Sequence, residues 1–277
     1  MVSACIISYN QEQYIAQCIE GALMQELDVP YEIVISDDCS TDRTAEIIRE
    51  FAQNDSRIRV IQRASNVGMH RNWLESINAC QGEFVAICEG DDYWNDPLKL
   101  RKQFDAIHSS ESIVGCYSNA NILMHDGNLS EYAYTTDNDQ TLSGSAFFRL
   151  NHNPIPTCTL MLRTEAFSGF PESYLSSPFV DWILHTVLLT KGDYVFLNEK
   201  TSTYRQHENG VWSSITKEKQ LIHKLRALKV VNSIVGPEFS DSNKEAIRKQ
   251  LDEMLYHYRN EKAVIKYFST WLELIRL

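Results

Sequence analysis

Short apolar runs alternate with amphipathic stretches along the first part of the chain. Residues 3–8 read as a buried strand, and the short apolar-rich runs 31–35, 58–61 and 84–88 as a second, third and fourth strand. Between the first two, Tyr14, Ile15, Cys18, Ile19, Ala22 and Leu23 recur at helical spacing within 14–24. Residues 41–51 and 69–79 also read as helices, and Ser40 or Thr41 is the expected N-cap of the former. Strand and helix alternating four times predict parallel βαβ units with right-handed crossovers. In such a sheet a ligand sits beyond the carboxyl ends of the strands.

The regular alternation then fades. Residues 114–118, 157–162, 194–197 and 201–204 read as strands and 181–190 as a helix, implying a mixed second half on the parallel sheet. From residue 215 the pattern is helical only, with helices expected at 217–235, 242–258 and 261–275, broken at Gly236-Pro237 and near Asn260. The expected division is 1–213 for the α/β part (1–112 and 113–213 as its halves) and 214–277 for the helices.

Charge supports that division. From Ser213 onward 12 Lys and Arg stand against 8 Asp and Glu, a surplus of 4 cations. The whole chain carries -11, so residues 1–212 carry -15. An acidic chain argues against nucleic acid as the main partner, because binding it needs a basic surface. The seven cysteines are scattered, with no Cys-x-x-Cys pair, and read as reduced core residues of a cytosolic protein. The chain enters a strand at Val2 without a basic leader, and no apolar run approaches the length that spans a bilayer.

Polar signatures fall at the four strand ends: Ser8-Tyr9-Asn10, the run from Ser36 to Asp42, Asn66-Val67-Gly68, and Glu89-Gly90-Asp91-Asp92-Tyr93-Trp94. Three carboxylates at the exit of a buried strand repel one another and resist desolvation, and no basic residue follows until Lys99. They suit a hard divalent cation shared with a diphosphate, or else a solvated acidic turn capping the helix near Pro97. Gly-x-Gly-x-x-Gly and Gly-x-x-x-x-Gly-Lys phosphate cradles are absent, as are His-Glu-x-x-His and Gly-x-Ser-x-Gly.

In this order and spacing, Ser8-Tyr9-Asn10, Asp-Asp-x-Ser-Thr-Asp at 37–42, Asn66-x-Gly68, Asp91-Asp92 and Tyr204-Arg205-x-His207 resemble family 2 of the glycosyltransferases. The similarity covers roughly residues 2–213, and the Glu89–Trp94 and Gly210-Val211-Trp212-Ser213 wording resembles bacterial members that build surface polysaccharides. The resemblance implies the GT-A fold, a Rossmann-like, mostly parallel central sheet flanked by helices, here with a C-terminal helical appendage. It implies an inverting enzyme that moves a sugar from a nucleotide-sugar donor, with uridine diphosphate the family expectation, to a glycan or lipid-linked glycan acceptor. Ser8, Tyr9, Asn10, Asp38, Asn66, Arg71 and Asp91 would contact the nucleotide part of the donor. Asp92, with Asp91 and His207, would hold Mn²⁺ or Mg²⁺. Glu89 stands where many relatives have the first Asp of an Asp-x-Asp. Asp181 stands at the position of the catalytic base, although a first-turn acid stabilised by the helix dipole is the alternative.

Acceptor contacts are expected from the second half, at Thr157 in an exposed-looking loop and at Trp182, Tyr204 and Trp212 by stacking, with core packing the alternative for the aromatics. The basic C-terminal helices read either as a packed cap or as an amphipathic surface, with Trp271, Leu272, Leu274 and Ile275, for peripheral contact with the anionic inner face of the cell membrane. A pyrophosphorylase would need a Gly-rich, Arg-containing loop after the first strand, which Ser8-Tyr9-Asn10-Gln11 is not. A non-catalytic, nucleotide- or glycan-binding scaffold remains the alternative to the enzyme.

Overall fold

The structure, a computed structural model, describes residues 1–131, 139–170, 177, 179–207, 210 and 215–276, without the side chain of Leu274. Trp212 lies outside the described residues. The chain separates into two compact units. The first comprises Met1–Thr141, Pro154–Gly169 and Asp193–His207; the second comprises Leu142–Asn153, Phe170–Gly192 and Glu208–Leu277. Segments 142–153 and 170–192 thus group with the C-terminal helices, where the charge pattern draws the boundary near 213. Net charge follows solvent-facing residues, whereas the grouping follows buried apolar ones that carry no charge.

The first unit is built on one mixed sheet. Strands β1 (Val2–Ser8), β2 (Tyr31–Asp37), β3 (Ile58–Gln62) and β4 (Phe84–Glu89) lie parallel in the order β3-β2-β1-β4. Helices α1 (Ile15–Leu23), α2 (Thr44–Asn54) and α3 (Met69–Ala79) connect them, and α4 (Lys99–His108) follows the short β5 (Tyr93–Trp94). The register sets Ser8 beside Asp37 and Ile7 beside Glu89. The polar strand exits of β1, β2 and β4 therefore share one rim, with neighbouring strands about 4.8 Å apart.

Strand β6 (Ile113–Leu123) extends the sheet. β7 (Leu129–Glu131) pairs with β6, and β8 (Gln140–Leu142) pairs with β10 (Asp193–Arg205). β9 (Met161–Arg163) lies antiparallel to both β4 and β6, and β10 runs parallel to β6. The expected strand at 157–162 is shorter than its apolar run suggests. Thr157–Thr159 form a 3₁₀ turn after Pro156, and only Met161–Arg163 pair. The two expected strands at 194–197 and 201–204 are one strand, with register shifts at the exposed polar residues between them. Its far end pairs antiparallel with β5, Ser202 opposite Trp94 and Thr203 opposite Tyr93. Ile6, Ile15, Ile19, Ile33, Ile35, Phe84 and Trp94 form the core of this unit.

The second unit is helical. α5 (Gly144–Phe147) and α7 (Val180–Leu189), which follows α6 (Thr164–Phe167) of the first unit, join α8 (Lys217–Ile234), α9 (Ser240–Asn260) and α10 (Val264–Leu274). Nine of ten residues of α7 are buried, all but Asp181. Gln250 donates to the Leu221 carbonyl (3.1 Å) and Asn243 to that of Leu228 (3.2 Å), which fixes α9 on α8.

Candidate active site

The acidic turn forms because β4 must stop where β5 starts. Gly90 donates its N–H to the Ile7 carbonyl (2.9 Å), and a Cβ there would lie 3.1 Å from Ile7 O, tighter than an ordinary contact, and 2.4 Å from Gln11 Oε1, the movable end of a side chain, so the tight turn favours glycine. The Asp92 N–H closes the turn on Glu89 O at 3.0 Å. Pairing of β5 with β10 then carries Arg205 and His207 to the turn, more than a hundred residues from it in sequence.

Arg205 compensates the turn without pairing a carboxylate. Its backbone N–H donates to Asp92 Oδ1 (2.8 Å), and its guanidinium donates to the Asp91 carbonyl and to Gln17 Oε1 (2.6 Å). The guanidinium carbon lies 4.6 Å from the Tyr14 ring centre and 5.2 Å from that of Tyr93, a cation held between two aromatic faces. His207 Nε2 lies 2.9 Å from Asp91 Oδ2, and its ring lies 5.1 Å from that of Tyr14. Asp92 is 2 % exposed, and burial, then the Asp91 and Glu89 charges, push its carboxyl well above the usual carboxylate range.

These donors suit a hard cation, which would relieve the like-charge strain on Asp92. They do not make a complete cage. Among the described residues no three His, Cys, Asp or Glu converge on one point, and Asp91 is engaged with His207, so the expected set Asp91, Asp92 and His207 is not a ready three-ligand site. A cation here would draw its remaining ligands from phosphate oxygens and water.

Along the same rim the loops after β1 and β2 are tied together. Asn10, at φ 52°, donates its N–H to Ser40 Oγ (2.9 Å) and accepts from the Thr41 N–H (2.8 Å). Ser40 and Thr41 are therefore not the N-cap of α2, which starts at Thr44. Asp42 Oδ1 instead accepts the Thr44 N–H at 3.0 Å. Asp38, 1 % exposed, accepts from the N–H groups of Val67 (2.8 Å) and Gly68 (2.9 Å), one on each oxygen. Its first task is thus to anchor the Asn66–Gly68 loop, where Asn66 is exposed and Gly68 takes φ 87°. Tyr9 is exposed, and Ser8 Oγ is buried with no hydrogen-bond partner among the described residues. Arg71 is exposed and pairs with Glu75 at 3.5 Å.

The acceptor expectations fare differently. Trp182 is 3 % exposed, so its ring is packed away and not offered for stacking. Ile155 and Pro156 are buried, so the segment before half-buried Thr157 is not an exposed loop; the prolines pin it inward. Tyr204 is half-buried and packs on the apolar core. Asp181 lies in the first turn of α7 and accepts from Asn153 Nδ2 at 2.9 Å. Sequence reasoning missed the parts played by Tyr14, Gln17 and Tyr93. Tyr14 caps α1 and Gln17 stands three residues on in its first turn, a spacing that is the sequence's faint trace of the Arg205 contacts.

A twisted sheet with strand order 3-2-1-4, a rim of polar strand exits and an acidic turn beside it define the GT-A class of nucleotide-sugar enzymes. The sequence profile of Glycosyl transferase family 2 matches residues 3–168, so the chain belongs to that family and is a glycosyltransferase. An uncharacterized protein of Mycobacterium tuberculosis is 29 % identical over 273 residues, covering 98 % of this chain and 73 % of that protein. The putative teichuronic acid biosynthesis glycosyltransferase TuaG of Bacillus subtilis is 26 % identical, covering 77 % of this chain and 82 % of its own. Among solved structures, S. aureus TarS (residues 1–349) in complex with UDP superimposes with a TM-score of 0.66 at 17 % identity, over 92 % of this chain and 72 % of that one.

Proposed function

We propose that this glycosyltransferase moves a hexosyl or N-acetylhexosaminyl group from a UDP-sugar to a hydroxyl of a glycan or lipid-linked glycan, with inversion, in surface polysaccharide synthesis. The observation that carries the reading is the acidic turn, buried at Asp92 and held by the end of β10. The biosynthetic role named for TuaG and the UDP bound by TarS support the acceptor and donor classes. The protein acts in the cytoplasm, at the inner face of the membrane.

Tyr9, by stacking, and Ser8, Asn10, Asp38, Asn66 and Arg71, by polar contact, line the nucleotide's place. Asp91 and Asp92 would hold Mn²⁺ or Mg²⁺, which would supply the charge neutralisation that a leaving diphosphate needs. His207 orients Asp91, and Arg205 keeps the turn in place. Asp181, oriented by Asn153, takes the proton from the acceptor hydroxyl as it attacks the face opposite the leaving group. Attack from that face inverts the anomeric centre.

The test is nucleotide release from a panel of sugar donors with Mn²⁺, with Mg²⁺ and with chelator, for the wild type and Asp92→Ala. One donor should be turned over only with metal, at a rate at least about 100-fold lower in the variant. Absence of release from every donor, together with no binding of uridine diphosphate and Mn²⁺ in calorimetry, overturns the reading in favour of a non-catalytic scaffold.

A further inference from the structure

Helix α10 carries an apolar face that the described residues leave bare. Val264, Ile265, Phe268, Trp271, Leu272 and Ile275 are all exposed, Ile265 at 86 %. At about 100° per residue these six positions fall within an arc of roughly 120°. The opposite side of the helix holds Thr270, 4 % exposed, so α10 is seated by one face and presents the other. Summed from those exposures the bare face is on the order of 600 Å², at the upper limit of what a monomer shows to water without a use for it.

Its charges say what covers it. Arg259, Lys262 and Arg276 are exposed beside or beyond the stripe. The one cation within α10, Lys266, is paired with Glu218 (2.6 Å), and Glu273 with Lys229, which leaves Glu261 as the one acid of residues 259–276 opposing those three cations. The rest of the chain is strongly acidic, so an anionic surface would repel it everywhere but in this basic region. A second copy would set like charges against each other along the stripe. A helix neither long nor apolar enough to cross a bilayer, with one apolar face and exposed cations flanking its two ends, is built to lie in a membrane interface.

We infer that α10 docks the protein on an anionic lipid surface, its six apolar side chains entering the headgroup boundary and Arg259, Lys262 and Arg276 facing the phosphates. This surface stands on the exposure of α10 and the charges that flank it, whatever the donor sugar proves to be.

Flotation of the full chain with vesicles tests it without donor or turnover. Vesicles of phosphatidylglycerol mixed with phosphatidylcholine should carry the protein up the gradient at least about 10-fold more than phosphatidylcholine alone, less so at high salt. Ile265→Asp with Phe268→Asp should abolish flotation, and Lys262→Glu with Arg276→Glu should weaken it several-fold. Both variants change exposed side chains, and unchanged far-ultraviolet circular dichroism confirms that they fold. No flotation of the wild type at low salt overturns the inference, as does equal binding to neutral vesicles. A wild-type dimer that the double aspartate variant turns into a monomer overturns it in favour of a second copy.

Discussion

Gly21→Ala sets two effects against each other. In the interior of α1, alanine is the better helix former by about 1 kcal/mol. On the structure the new methyl carbon would lie 2.7 Å from the carbonyl oxygen of Trp94, 3.0 Å from its nitrogen and 3.4 Å from its carbonyl carbon. All three are backbone atoms, so no side chain can swing aside. Nor can Trp94 retreat: it is 2 % exposed, its indole N–H donates to Cys158 O at 2.9 Å, and it pairs with Ser202 across β5 and β10. Overpacking of this kind costs typically 1–3 kcal/mol. The expected net loss is about 0–2 kcal/mol, or up to roughly 4 °C in Tm for a chain of this size. Displacement of β5 should also pull on Asp92, two residues away, and lower metal-dependent nucleotide release. Urea titration followed by tryptophan fluorescence, with release assayed on the same preparations, reads both. A variant stabilised by about 1 kcal/mol, the propensity term alone, would refute the close approach of α1 to β5.

Two further outcomes follow from single residues. Asp181→Asn should lower kcat for transfer by about 10²–10⁴-fold while leaving donor KM and metal affinity nearly unchanged; a variant with full kcat removes Asp181 from the chemistry. His185, buried beside Phe147, is pushed by burial from an ordinary 6.5 to about 3. The unfolded chain binds the proton more readily in that window, so stability should fall as pH drops from about 6.5 toward 3, by up to about 1.4 kcal/mol per pH unit. His185→Phe should flatten that part of the curve in pH-dependent urea titrations; an unchanged slope assigns the acid lability to other groups.

The parallel half of the sheet was legible because its central strands β1 and β4 are buried on both faces. A run such as Ala4-Cys5-Ile6-Ile7 then has no polar position to confuse the reading. β9 and β10 were harder for opposite reasons. Residues 157–162 are apolar enough for a strand, yet Pro156 leads them into a 3₁₀ turn, and the neighbours that decide this, β4 and β6, lie far away in sequence. In β10 the exposed residues Asn198, Glu199 and Lys200 hide a continuous strand, because register shifts absorb them. The site divides in the same way. Asp91 and Asp92 announce themselves as adjacent acids, and His207 comes with the family motif. Trp182 misleads, since an aromatic beside an expected base reads the same whether it faces sugar or core. Only burial separates the two.

The balance of charge at the acidic turn explains why Arg205 is placed as it is. A guanidinium paired directly with Asp92 would satisfy the carboxylate and compete with any cation offered to it. Here the side chain spends its donors on a carbonyl oxygen and on Gln17, between two tyrosine faces, and only the backbone N–H reaches Asp92. The positive charge stays close enough to offset three acids, yet Asp92 remains under-neutralised, its carboxyl pushed well above the usual range by burial and by Asp91 and Glu89. On the proposed mechanism a site held in that state would gain most from a divalent cation arriving with a diphosphate, because neutralising the buried acid and the leaving group would then be a single event. Residues 89–92 and 205–207 are thus joined as one element across β5 and β10, and on the proposed mechanism loss of the strand pairing should cost the chemistry as surely as loss of Asp92 itself.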